Sequence, residues 1–216
     1  GLRVFVGHKQ AVVSTNDIAG TDPAALAERA VAMARVAPDD RFAGLADSDR
    51  LARERPDLDL IDPDSPAVAE LERRARAAEE AALSVKGVTK SGGASAGAGI
   101  SGMVLVTSGG FHGSYLASRQ SLSMMAIAGE GTGMERDYDH CSALHGSDLA
   151  APEAIGRSAG ERAVRRLNPR KVKPQTVPVI FDARLSNTLI SHLASAANGV
   201  SIARKASFVK DKLGER

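Results

Sequence analysis

From Val88 to His145 the apolar rhythm of three and four residues that marks the flanking segments stops, and this change limits the fold more than any other feature of the chain. The runs that replace it, GGASAGAGIS, GMVLVTS, GSYLASRQ, SLSMMAIAG and MERDYDHCSALH, are small or β-branched and are separated by glycine-bearing turns. That pattern predicts a meander of antiparallel strands. Helical periodicity is plain on either side. A helix from Ser65-Pro66 to Gly87 carries Val68, Leu71, Ala75, Ala78, Ala82 and Val85 in one seam, with Glu72 and Arg76 as an i,i+4 pair. Another, from Pro152 to Leu167, turns Ile155, Ala159, Ala163 and Leu167 inward before Asn168-Pro169 ends it. Strands in one block with helices outside it, and no regular βαβ alternation, predict an α+β fold: an antiparallel β meander packed with helices.

The ends of the chain add smaller units. Leu2 to Val6 and Gln10 to Ser14 predict a hairpin around Gly7-His8-Lys9. A helix follows, capped by Thr21 or Asp22 and opened by Pro23, with Leu26, Ala30 and Met33 on one side. Residues 37–64, rich in Asp, Pro and Arg, read as a linker or long surface connection. Near the C-terminus, Val177 to Phe181 reads as a short strand leading into a helix capped by Asp182. Leu185, Leu189, Leu193 and Ala196 or Ala197 mark one face of that helix, and Gly199 sits where a left-handed stop belongs. Residues 1–170 are expected to form one α+β region and 171–216 the start of a further domain. The chain opens without Met, directly in a strand, and closes just after a new unit begins, so a fragment of a longer chain is expected.

Composition excludes several classes. A formal charge of +2 creates no general attraction for nucleic acid or membrane, and aromatics at 3% without Trp argue against a base-stacking platform. The single cysteine, Cys141, rules out an intramolecular disulfide framework and suits a reducing cytoplasm. No apolar stretch is long enough to cross a bilayer, and no signal-peptide pattern opens the chain.

Two stretches carry a resemblance: VPVIFDARLSNTLISHLASAANGVSIARKASFVKDKLGE, and TSGGFHGSYLASRQSLSMMAIAGEGTGMERDYDHCSALHGSDL. Both resemble the PmbA/TldD family, and the order of elements agrees with it over essentially the whole chain. In the TldD branch the equivalent terminal helix carries H-E-x-x-x-H, two zinc-binding histidines and a glutamate base. Aligning Leu189-Ile190 before the motif and Arg204-Lys205 after it places its three functional positions on Ser191, His192 and Ala196. Neither ligand position is a histidine, and the base position is not a carboxylate. A catalytic zinc usually takes three protein ligands plus an open position for water. The chain therefore resembles the motif-free TldE (PmbA) branch. What the resemblance implies is a cytoplasmic, non-catalytic subunit with no metal or cofactor of its own. Its partner would be a TldD-like paralogue that carries the zinc in a heterodimer, and together they would cleave unfolded peptides. The other readings are a regulatory protein that modulates DNA gyrase or nucleic acid without proteolysis, and a homodimeric, metal-independent enzyme using His192 or an acidic row.

Other groups admit both a functional role and a plainer one. His140 and His145 share the i,i+5 spacing of a zinc pair, with Cys141 beside them, but on a strand residues five apart face opposite ways. Ser191 and His192, adjacent on a helix, diverge by about a hundred degrees and cannot form an activated pair. Arg162, Arg165, Arg166, Arg170, Lys171 and Lys173 read as a solvated helix face rather than a DNA patch. Glu135, Asp137 and Asp139 share one face of a strand, either as a cation site or as the wet side of a sheet. The glycine-rich segments 92–99 and 129–133 lack the Lys-Ser/Thr ending of a phosphate loop, and an edge strand of such small residues could pair with an extended peptide.

Overall fold

The computed structural model describes residues 1–215, which divide into one unit spanning Gly1–Pro169 and another beginning at Arg170. The first unit opens with a hairpin, β1 (Leu2–Val6) against β2 (Lys9–Val13), paired antiparallel around Gly7 at a left-handed φ of 61°. Helix α1 (Pro23–Val36) packs on it through Ala30 and Ala34. Asp22 is the cap, its Oδ1 accepting from the Ala24 N–H at 3.0 Å. Met33, expected on the inner face, is exposed because Ala34 takes the place next to the hairpin.

The meander is present, but as three strands rather than five short runs. β3 (Val88–Val106), β4 (His112–Ala128) and β5 (Glu135–Ala143) lie in the order β3-β4-β5, all antiparallel. The ladder runs unbroken through Gly102, which pairs with Leu116, and through Arg119-Gln120-Ser121. Glycine there relaxes side-chain packing without turning the chain.

Helices α2 (Val68–Leu83) and α3 (Pro152–Arg165) cover one face of this sheet. The core joins Ala78 and Ala82 of α2, Ile155, Ala159 and Ala163 of α3, and Leu122, Met124, Ala126 and Ala128 of β4. Small residues dominate because the helices approach at backbone distance. A Cβ on Gly156 would overlap the Ala78 carbonyl oxygen, and one on Gly160 would stand 2.8 Å from Val85 Cγ2 and 3.0 Å from Ala82 O. The seam read from the sequence holds on α3 and over the last turns of α2, whereas Val68 is exposed because it precedes the crossing. The ion pairing expected of Glu72 and Arg76 falls to Glu70, which pairs with both Arg73 and Arg74 at 2.7 Å.

In the second unit, residues 177–181 form no strand. They have no ladder partner among the described residues, and Ile180 is 96% exposed. Apolar, β-branched sequence supplies propensity, but a strand needs a neighbour for its main-chain groups. Asp182 does cap, through a 3₁₀ turn (Ala183–Leu185) that leads into α4 (Ser186–Ala196). Gly199 is not a stop. Asn198 Oδ1 accepts from Val200 N at 3.0 Å and opens a further helix, α5 (Gly199–Ala203). The left-handed residue just after α5 is Lys205, at φ 58°.

The close crossing makes a direct prediction. Gly156→Ala should lower unfolding free energy by about 2 kcal/mol in urea denaturation, the usual cost of overpacking. Gly199→Ala, where an added Cβ meets nothing within 4 Å, should change it by less than about 0.5 kcal/mol.

Candidate functional site

The three aligned motif positions lie on α4. Ser191 and His192 are exposed, and Ala196 is buried at 8%. The Ala196 carbonyl accepts a 2.6 Å bond from Ser207 Oγ, which ties the end of α4 to the segment after α5. Leu185, Leu189 and Leu193 form the expected stripe, and all three are exposed. As a donor set the three positions offer a hydroxyl, an imidazole and a methyl. A methyl cannot ligate zinc, and a serine hydroxyl is not among its usual ligands. These residues do not fit a catalytic zinc.

The two histidines of the H-C-S-A-L-H segment separate as their strand position requires. His140 sits on the exposed face of β5 opposite Ser123, its ring centroid 5.8 Å from that of Tyr138. His145 lies beyond the strand and bonds the Asp59 carbonyl through Nε2 at 2.9 Å. Cys141 faces the other way, packed against the core.

The acidic row needs a correction. Glu135, Asp137 and Asp139 point neither to open water nor into a cation cage; they face α3. Arg162 reaches Asp139 at 3.9 Å, and Arg166 reaches Glu135 at 3.7 Å and Asp137 at 3.5 Å. Asp137, only 6% exposed, needs such pairing, since an isolated buried carboxylate is costly. Two members of the basic run are thus committed to the sheet and are not simply a solvated helix face. The spacing follows from geometry: i,i+2 along a strand and i,i+4 along a helix bring matching charges side by side.

A polar hub that sequence reasoning passed over fastens the connection before α2 to the sheet. Gln120, 4% exposed, donates from Nε2 to Asp62 Oδ2 at 2.7 Å and accepts at Oε1 from Arg74 Nη1 at 2.8 Å. Asp62 Oδ2 also accepts from Gly146 N at 2.7 Å, and Asp62 N donates to Ser118 Oγ at 2.7 Å. Where β5 ends, Ser118 N donates instead to Leu60 O at 2.9 Å, so the strap borders β4 in its place. Asp59 sits at a left-handed φ of 49°, a conformation that Asp adopts more readily than most non-glycine residues, and its carbonyl is bonded by His145. The signal available in sequence was faint: polar Ser118 and Gln120 at inward positions of a strand whose other inward residues are apolar.

The charges of the hub are tuned accordingly. The Gly146 and Asp64 amides hold the Asp62 carboxyl below its ordinary value. Arg73 and then Arg74 bring Glu70 down to about 2. The Asp59 carbonyl, with nearby carboxylates, raises His145.

With this geometry in hand, comparison with known proteins is decisive. The model of the PmbA/TldA metallopeptidase central domain matches residues 61–167, that of the C-terminal domain 174–216, and that of domain 1 residues 1–34. The chain belongs to the PmbA/TldD family. Among PmbA/TldD relatives, the metalloprotease PmbA homologue of Haemophilus influenzae is 35% identical over 217 residues, covering 100% of this chain and 48% of its own. Metalloprotease PmbA of Escherichia coli O157:H7 is likewise 35% identical over 217 residues, with 100% and 48% covered. The chain thus spans about half the length of the curated relatives it matches. A solved structure from Bacteroides thetaiotaomicron, named as a candidate modulator of DNA gyrase, superposes with TM-score 0.81 at 28% identity, covering 96% of this chain and 48% of that one. No helix among the described residues is long and apolar enough to cross a membrane.

The hub yields two predictions. Gln120→Leu removes a buried partner of Arg74 and Asp62 and should cost about 2 kcal/mol, with faster hydrogen exchange across residues 59–64. Because Asp62 is lowered, its contribution is full above 3.8 and is lost as pH falls through the folded value. Because His145 is raised, its contribution is full below 6.5 and is lost as pH rises through the folded value. Exchange protection of the strap, corrected for intrinsic rate, should therefore peak between about pH 4 and 6.5.

Proposed function

We propose that this chain belongs to the TldE-like, non-catalytic subunit of a TldD/TldE-type zinc metallopeptidase that acts on unfolded peptides in the cytoplasm. The observation that carries the reading is the donor set on α4. Its relatives bear the name metalloprotease, yet Ser191, His192 and Ala196 supply no pair of zinc ligands and no carboxylate base. Hydrolysis then rests on a TldD-like paralogue, joined as a heterodimer, whose zinc polarises the scissile carbonyl and activates water. This chain contributes a helix-backed sheet whose other face exposes Arg119, Ser121, Arg136 and Ser142, a surface suited to holding an extended chain.

The test is cleavage of an unstructured peptide by the full-length protein alone, by an H-E-x-x-x-H-bearing partner alone, and by both. Activity should appear only with the partner present, rise when both are mixed, and vanish with chelator. His192→Ala in this chain should leave the rate of the mixture unchanged within about twofold, since no proton transfer passes through it. Chelator-sensitive cleavage by the unpartnered protein would contradict the reading. The name of the Bacteroides neighbour keeps a regulatory role on DNA gyrase as the second reading, which would be favoured by salt-sensitive DNA binding in the absence of any peptidase activity.

A further inference from the structure

We infer that the face of the β3-β4-β5 sheet turned away from α2 and α3 is a docking surface for acidic, extended polypeptide. The inference rests on the peptidase-subunit reading for its choice of a peptide, and it adds the charge that peptide carries.

The sheet separates charge between its faces. On β5 the three carboxylates, Glu135, Asp137 and Asp139, alternate with Arg136, Tyr138, His140 and Ser142. The carboxylates face α3 and meet Arg162 and Arg166. Register carries the alternation across the sheet: Arg136 lies beside Ile127, which pairs with Lys90, and Ser142 lies beside Ser121, which pairs with Gly97. Following these ladders, the outer face holds Lys90, Arg119 and Arg136 and no Asp or Glu at all. All three cations are exposed.

None of those cations meets a carboxylate among the described residues. Arg119 Nη2 donates to Ser142 Oγ at 3.1 Å, and Lys90 Nζ approaches only Met134 Sδ at 3.9 Å. Exposed cations on a protein this close to electroneutral usually sit among carboxylates; here those carboxylates are drawn to the opposite face. The result is a one-signed surface that attracts anions and turns away cations.

The floor between the cations suits a polypeptide. Ser95, Ser121 and Ser142 are exposed hydroxyls that can donate to carboxylate or main-chain oxygens, and Gly97 and Gly99 let a second backbone lie close. Nucleic acid is the weaker match. Stacking along a strand needs a run of open rings, and this face offers Tyr138 beside His140, tilted 34° to one another and lying opposite Met125 and Ser123.

The experiment is fluorescence anisotropy with the full-length protein. The probes are a labelled peptide of Glu, Ser and Gly, the same peptide with Lys in place of Glu, and an oligothymidylate of matched length. The acidic peptide should bind in preference to the basic one and weaken as salt is added. In Arg119→Glu/Arg136→Glu its affinity should fall about tenfold, from loss of two attractions and gain of two repulsions. Arg119→Gln/Arg136→Gln, a milder change at the same exposed positions, should give a smaller loss in the same direction. Equal affinity for the acidic and basic peptides, or unchanged binding in both variants, overturns the inference. Tighter oligothymidylate binding that is lost in the same variants also overturns it, assigning the face to nucleic acid. Partner-dependent cleavage of a neutral peptide needs none of these cations, so failure here and failure of the peptidase reading are told apart.

Discussion

At Gly156 the carbonyl of Ala78 stands where a side chain would otherwise be, and this contact between two helix backbones sets the geometry around it. With α3 held so close to α2, both helices lie on one sheet face, Gly156 against Ala78 and Ala81 and Gly160 against Ala82 and Val85. That depth brings Arg162 and Arg166 level with the acidic side of β5. A bulkier crossing would lift α3 away and leave Asp137 buried without its guanidinium. The same arrangement leaves the other sheet face without carboxylates, so an internal packing choice shapes an external surface.

The long elements were legible because periodicity is a strong signal when sustained. Ile155, Ala159 and Ala163 recur at helical spacing and are buried where expected. Boundaries within the meander were not legible, since glycine in a strand and glycine in a turn look alike. Only the partner strand decides, as Leu116 does for Gly102. The segment 177–181 failed for the opposite reason: strong β propensity cannot make a strand without a neighbour. Gly199 misled because a glycine after an apolar helix suits a stop, while Asn198 before it suits a cap, and the cap prevails.

Ser191, His192 and Ala196 can be read directly against a metal-binding pattern, and the structure adds that the first two are exposed and the third is tied to Ser207. The roles of Glu135, Asp137 and Asp139 were not legible, because a row of carboxylates on a strand looks the same whether it faces water or arginine. Nor was the hub around Gln120, whose partners Asp62, Arg74 and Gly146 are far apart in sequence. Long-range polar contacts leave no periodic trace.

The central claim is that Ser191, His192 and Ala196 on α4 do not fit a catalytic zinc, and the proposed division of labour with a partner follows from it. Metal analysis of the complete, unpartnered protein after equilibration with zinc and removal of excess tests this most directly. The account predicts far less than one zinc per chain, unchanged in Ser191→Ala/His192→Ala. One zinc per chain that is lost in that variant would contradict it.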